Sequence, residues 1–413
     1  MKKKLKMSFP LLCVFSLLAT YLSKLETSLK ILPIICIYIL LFKYYKHYRF
    51  FIKFRGWYKI IFFSYVGYCL FLILRSVFYD SNSGLMGIYT LSLFGNLEFG
   101  VLNWILPIAI LIVFDDSIIS SYAKICDVII VLGILGGLLY FSNVDSTAFD
   151  KIFYLLPVVC PRLLLSKKRH FLYWVYFAIS FLYCYIEDER SILGMNILCI
   201  MGLLVFKVFK KRKKIINLVI IYSCIVPIVG VSLTTINLIS GNSIFTILED
   251  KYGAKSNMSQ DTRTFLFVEL NEDLTQNNSW IYGKGIFGTY YSQVMHNALM
   301  RKDYSDNENR LGTESGYLWL LLKGGIVLFM LYVLLFYTAI IRGNKSGNNW
   351  IIFLSFIMAN RLLLMFVSFT PSFDVSNILF WLFLMINIQY NKKYDNINNN
   401  SNMECCQDIE KMS

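Results

Sequence analysis

Arg190 closes a short polar turn, Glu187-Asp188-Glu189, and opens the apolar run that follows. A guanidinium there opposes the positive end of the helix it would start. It therefore needs either the neighbouring acids, as a structural ion pair, or an anionic ligand, and its planar fork suits phosphate oxygens. Arg263 follows Asp261, a good helix N-cap, and the spacing after it puts Arg263, Leu266, Phe267, Leu270 and Leu274 on one face of an amphipathic helix. Such an arginine is either plain solvated surface or a second anion contact. Glu314 stands at the mouth of the apolar run that starts at Ser315, where the positive helix end favours an ionised carboxylate fit to act as a base. His296 is the one histidine outside the basic clusters that hold His47 and His170. It is either a base or sugar ligand, or a surface residue without function. A single histidine makes no metal site, and the ten cysteines show no metal-ligand or disulfide spacing, so no metal is expected.

Arg75, Lys323, Arg361 and Asp374 lie within or at the ends of apolar runs. Ionisable groups there face a cavity or a partner. The set reads as a mostly positive, water-filled vestibule opening to one side, with snorkelling or paired structural charge as the alternative for each member. Gly283-x-Gly285-x-x-Gly288 matches the dinucleotide fingerprint in letters but has no strand before it and no helix after it in a βαβ unit. These glycines are expected to let backbone approach a sugar or phosphate, or to turn the chain.

The elements that hold these residues are apolar. Of 413 residues 57% are hydrophobic and 16% charged, against about a quarter charged in soluble domains. The fold class is all-α, a polytopic membrane protein. With roughly 20 apolar residues per span, the candidates are 8–23, 29–43, 57–79, 100–114, 121–141, 151–165, 169–186, 191–208, 214–235, 315–341, 349–369 and 373–390, about twelve. The formal charge of +14 falls in short clusters between these runs, at 43–59, 166–170 and 207–214. Such alternation follows the positive-inside rule and argues against a nucleic-acid partner. Only the acidic connection at 115–120 departs from it. Both termini are then expected in the cytoplasm and the first span is expected to stay uncleaved. The units are 1–234, N-terminal spans; 235–314, an extracytoplasmic loop; 315–390, C-terminal spans; and 391–413, a disordered tail. The connection at 80–99, half apolar, is expected to dip back toward the membrane.

With these residues placed, the stretch 170–345 resembles the O-antigen ligase and Wzy-type polysaccharide polymerase superfamily. Glu189-Arg190-Ser191-Ile192-Leu193-Gly194 is similar to the start of its mid-chain span, and Thr262-Arg263-Thr264 with Tyr282-Gly283-Lys284-Gly285 to its outward arginine and G-x-G segment. Glu314-Ser315-x-Tyr317-Leu318-x-x-Leu321-x-x-x-Gly325 fits the register in which ligases show histidine, here replaced by Glu314, while His296-Asn297 sits upstream. That departure favours a polymerase over a ligase. The resemblance implies inverting glycosyl transfer at the outer face of a bacterial plasma membrane, without cofactor, metal or nucleotide sugar. It implies undecaprenyl-diphosphate-linked oligosaccharide as donor and acceptor, a chain-length regulator and a flippase as partners, Arg190 and Arg263 on the diphosphate with Arg361 and Lys323 as helpers, and Glu314 or His296 as base. A lipid-linked oligosaccharide flippase or transporter is the reading from another class, and it expects charge spread through both halves.

Overall fold

A backbone in lipid has to satisfy its N–H and C=O groups internally, so long apolar runs fold as helices. The computed structural model describes residues 8–25, 29–45, 57–79, 93–114, 117–142, 150–165, 170–187, 189–208, 220–222, 225, 264–292 and 309–389. Among these, strand is confined to Tyr290–Tyr291 and Asn309–Arg310, paired antiparallel, and the rest of the regular structure is helix. The chain is an all-α membrane protein. Three described helices are long and apolar enough to cross a membrane, Trp57–Ser76, Ile118–Phe141 and Gly316–Asn344. Shorter apolar helices cover Ser8–Leu25, Ile31–Tyr45, His170–Ile186, Arg190–Val208, Asn349–Leu364 and Val375–Gln389. Most of the expected run at 214–235, the segment 80–92 and the tail from 390 lie outside the described residues.

Two expected spans are interrupted. Residues 100–114 form Val101–Trp104 and Leu106–Val113, and residues 150–165 form Asp150–Phe153, Leu156–Val159 and Arg162–Leu165. Pro107, Pro157 and Pro161 lack the N–H that would continue each ladder. Carbonyls of the second segment are met by hydroxyls of neighbouring helices: Tyr122 donates to Val158 at 2.9 Å, Ser180 to Phe153 at 2.6 Å, and Tyr176 at 2.6 Å to Ile152, which also accepts from the Leu155 N–H. Each buried carbonyl left alone would cost roughly 1–3 kcal/mol. These three side chains therefore hold the break in place.

Gly316–Asn344 is the central helix, packed on Trp57–Tyr79, Asn349–Leu364 and Val375–Gln389. Trp381 fills the junction, with ring centroids 5.4 Å from Tyr65 and 5.4 Å from Phe336. On the other side Ser8–Leu25 packs against Ile31–Tyr45 and Ile118–Phe141, and Arg190–Val208 closes on Asn349–Leu364. The seven described cysteines are free and, apart from half-buried Cys36, buried, where they pack as small hydrophobes.

At one end of this bundle the start of the central helix is stitched to the end of its neighbour. Ser315 caps the helix by accepting from the Leu318 N–H, and its hydroxyl donates to the Met365 carbonyl at 3.1 Å. The N–H groups of Gly316 and Tyr317 donate to the carbonyls of Ser368 and Met365 at 3.1 and 3.2 Å. Nearby, the Phe373 N–H reaches the Leu97 carbonyl at 2.7 Å. The segments 93–100, 309–317 and 365–374 thus meet at one mouth.

Candidate functional site

The central helix is broken near this mouth. Gly325 has φ 65° and ψ −165°, so the carbonyls just before it and the N–H groups just after it lose their helical partners. The glycine segment supplies them. N–H groups of Lys284 and Gly285 donate to the carbonyls of Leu322 and Lys323 at 2.7 and 3.0 Å, and the Ile326 N–H donates to the Trp280 carbonyl at 2.8 Å. Gly283 and Gly285 have φ 63° and 87°, in the left-handed region that favours glycine. The backbone that these two glycines approach is that of the central helix. Gly288 is also occupied within the protein, since its carbonyl accepts from the Lys323 Nζ at 2.8 Å.

That ammonium is fully buried. It donates to the Leu311 carbonyl at 2.6 Å as well and lies 4.6 Å from the centre of the Phe99 ring. Gly288 and Leu311 flank the two short strands, so Lys323 ties both legs of the loop stem to the central helix. Two of the three ammonium donors, expected to help hold a diphosphate, thus face carbonyls within the protein. Arg75 acts similarly from Trp57–Tyr79, donating to the carbonyls of Tyr282 and Gly283 at 3.0 and 3.2 Å. The amphipathic helix is present as Thr264–Gln276. Leu266, Phe267, Leu270 and Leu274 are buried against Tyr290, Leu318, Leu321 and Leu322, each worth roughly 1.5–3 kcal/mol of transfer free energy. Asn278, with φ 49°, ends it, and Asp273 pairs with Lys284 at 2.5 Å.

Arg361 is buried between the rings of Phe369 and Phe380, at 4.6 and 4.7 Å, and donates to Asn377 Oδ1 at 2.7 Å. Asn377 in turn donates to Asp374 and to Ser372, each at 3.0 Å, and Ser372 donates to Asp374. Arg361 is thus held by a polar network behind the mouth. Phe369 has φ 62°, a conformation that costs a bulky residue roughly 1–3 kcal/mol. Its ring is fixed between Arg361 and the cluster of Phe153, Tyr183, Cys184 and Ile192. In the turn before Arg190–Val208, Glu187 accepts from the Tyr140 hydroxyl and Glu189 from that of Tyr154 at 3.0 Å.

Arg190 is the first residue of its helix, as the sequence places it. Its side chain, Arg263 and His296 lie outside the described residues. Glu314 precedes the Ser315 cap, is 54% exposed and stands 3.7 Å from Arg310. Tyr290, opposite Arg310 in the strand pair, has its phenol pushed up to about 12 by burial, with Arg310 pulling the other way.

One acid at the mouth was missed in the sequence. Glu98 sits in the turn before Val101–Trp104, and Asn96 Oδ1 accepts from the N–H groups of Glu98 and Phe99 at 2.7 and 3.0 Å. Asn103 donates to the Glu98 carbonyl at 2.7 Å and to that of Pro371 at 3.2 Å. Burial raises its carboxyl above the ordinary value; Lys323 and Lys151 draw it down and Asp374 raises it further. The one signal available was an acid between Leu97 and Phe99, with no partner in its own segment. A comparison with protein-family models and another with curated proteins each return no match to this chain.

Proposed function

We propose that this chain polymerises lipid-diphosphate-linked oligosaccharide repeat units into a surface polysaccharide, as the Wzy-type resemblance implies. The observation that carries the reading is the composition of the mouth. The half-buried carboxylate of Glu98, the first residue of the Arg190 helix and the stem of the polar loop stand at the ends of apolar helices, where a polyprenyl diphosphate would present its charged head. Arg190 and Arg263 take the diphosphate and stabilise the charge that develops as it leaves. The polyprenyl chain lies along the apolar flank of the bundle. Lys323, Arg361 and Arg75 act as supports that fix the mouth rather than as ligands.

The same reading sets about twelve spans, both termini in the cytoplasm and the loop 235–314 outside a bacterial plasma membrane. A flippase and a chain-length regulator work beside it. Deleting the chain tests the class. A polymerase deletion leaves glycan of a single repeat unit on its final acceptor, because flipping and attachment continue without elongation. Long glycan stranded on the lipid carrier marks a ligase instead, and single units left facing the cytoplasm mark a flippase.

A further inference from the structure

Resting on the polymerase reading, we infer that Glu98 is the base that takes the proton from the attacking sugar hydroxyl. Three features of its position carry this. Its backbone is fixed on both sides, by Asn96 below and by Asn103 and the Phe373 to Leu97 bond above, so the carboxylate is aimed by a rigid turn. Its Oε1 faces Gly312 at the loop stem, 3.4 Å from where a β-carbon would stand, beside the Phe99 ring at 3.0 Å, so the carboxylate reaches the stem where glycine has no side chain. Among the described residues no side chain donates a hydrogen bond to the carboxylate, and the Lys323 ammonium points two donors at the Gly288 and Leu311 carbonyls.

The charged groups that face it are Lys323 on the central helix, Lys151 on Asp150–Phe153 and Asp374 before Val375–Gln389. Burial and Asp374 raise its proton affinity while the two lysines limit the rise. A carboxylate moved in that direction is a stronger base than one in water. Glu314, by contrast, is 54% exposed and stands 3.7 Å from Arg310. In the reaction the acceptor oxygen forms a bond to the anomeric carbon as the bond from that carbon to the phosphate oxygen breaks. The hydroxyl proton goes to Glu98, and the lipid diphosphate leaves with the bonding electron pair.

The test uses the purified full chain in detergent, with lipid-linked single repeat units extracted from a strain lacking it. Wild-type turnover is expected to rise with pH along one titration limb and then level. Glu98→Gln is expected to lower kcat by about 10²–10⁴-fold at unchanged KM and to lose that limb. Glu98→Asp, which keeps the acid but withdraws it, should keep the limb at lower turnover. Elongation by Glu98→Gln within about threefold of wild type, or a wild-type profile without the limb, overturns the role of Glu98 and leaves the polymerase reading standing. Absence of elongation by folded wild-type protein overturns the polymerase reading and the inference together.

Discussion

Gly283 and Gly325 lie backbone against backbone, so close that a β-carbon on Gly283 would stand 2.5 Å from the Gly325 nitrogen. Their contact joins the polar loop to the central helix at its break, and most of the mouth depends on it.

Gly283→Ala should therefore destabilise the chain by roughly 2–4 kcal/mol, about 1 from the left-handed backbone and the rest from forced displacement. Gly347→Ala separates the two effects, because Gly347 has φ 81° and nothing within 4 Å of its would-be β-carbon. Thermal midpoints in one detergent compare them. Equal losses for the two variants would show that the close approach contributes nothing.

Lys323→Met should lower the midpoint as well, with a loss of stability of about 2–6 kcal/mol, since it strands two part-buried carbonyls at roughly 1–3 kcal/mol each. If the ammonium instead served a ligand, activity would fall while the midpoint stayed where it was. The same thermal measurement, paired with an elongation assay, decides between clamp and ligand.

Glu98 links stability to pH. Burial lifts its folded-state value above the ordinary 4.5, so the folded chain holds the proton more tightly than the unfolded one. Stability then falls as pH rises from the unfolded value through the folded value, and stays low above it. Glu98→Gln removes this loss. Its midpoint should exceed that of wild type at neutral pH and converge with it in acid; a neutral-pH midpoint below wild type would contradict the sign.

The amphipathic helix was legible because its burial repeats locally: the four apolar residues spaced along 266–274 are the four that are buried. The interruption of 150–165 was half legible. Pro157 and Pro161 stand in plain view, yet apolar content outweighed them, and the hydroxyls that make the break tolerable come from Tyr122, Tyr176 and Ser180 on other helices. The glycine segment announced a turn without naming its partner. Only the Gly324-Gly325 pair inside an apolar run hinted at a break. Lys323 read as a vestibule cation because nothing near it in sequence reveals that Gly288, 35 positions earlier, supplies its acceptor. Glu98 carried no period and no motif, so its place among distant segments could not be seen.

The docking of residues 280–285 on the broken helix also bears on the order in which the protein is made. Translation runs from the N-terminus, so Gly285 leaves the ribosome about 40 residues before Gly325, a lead of roughly 2–8 s at 5–20 residues per second. The carbonyls of Leu322 and Lys323 enter the bilayer with their donors already synthesised. The unsatisfied form of the break therefore exists only as long as docking takes, and biogenesis never has to shelter an incomplete helix while the chain that completes it is still to come.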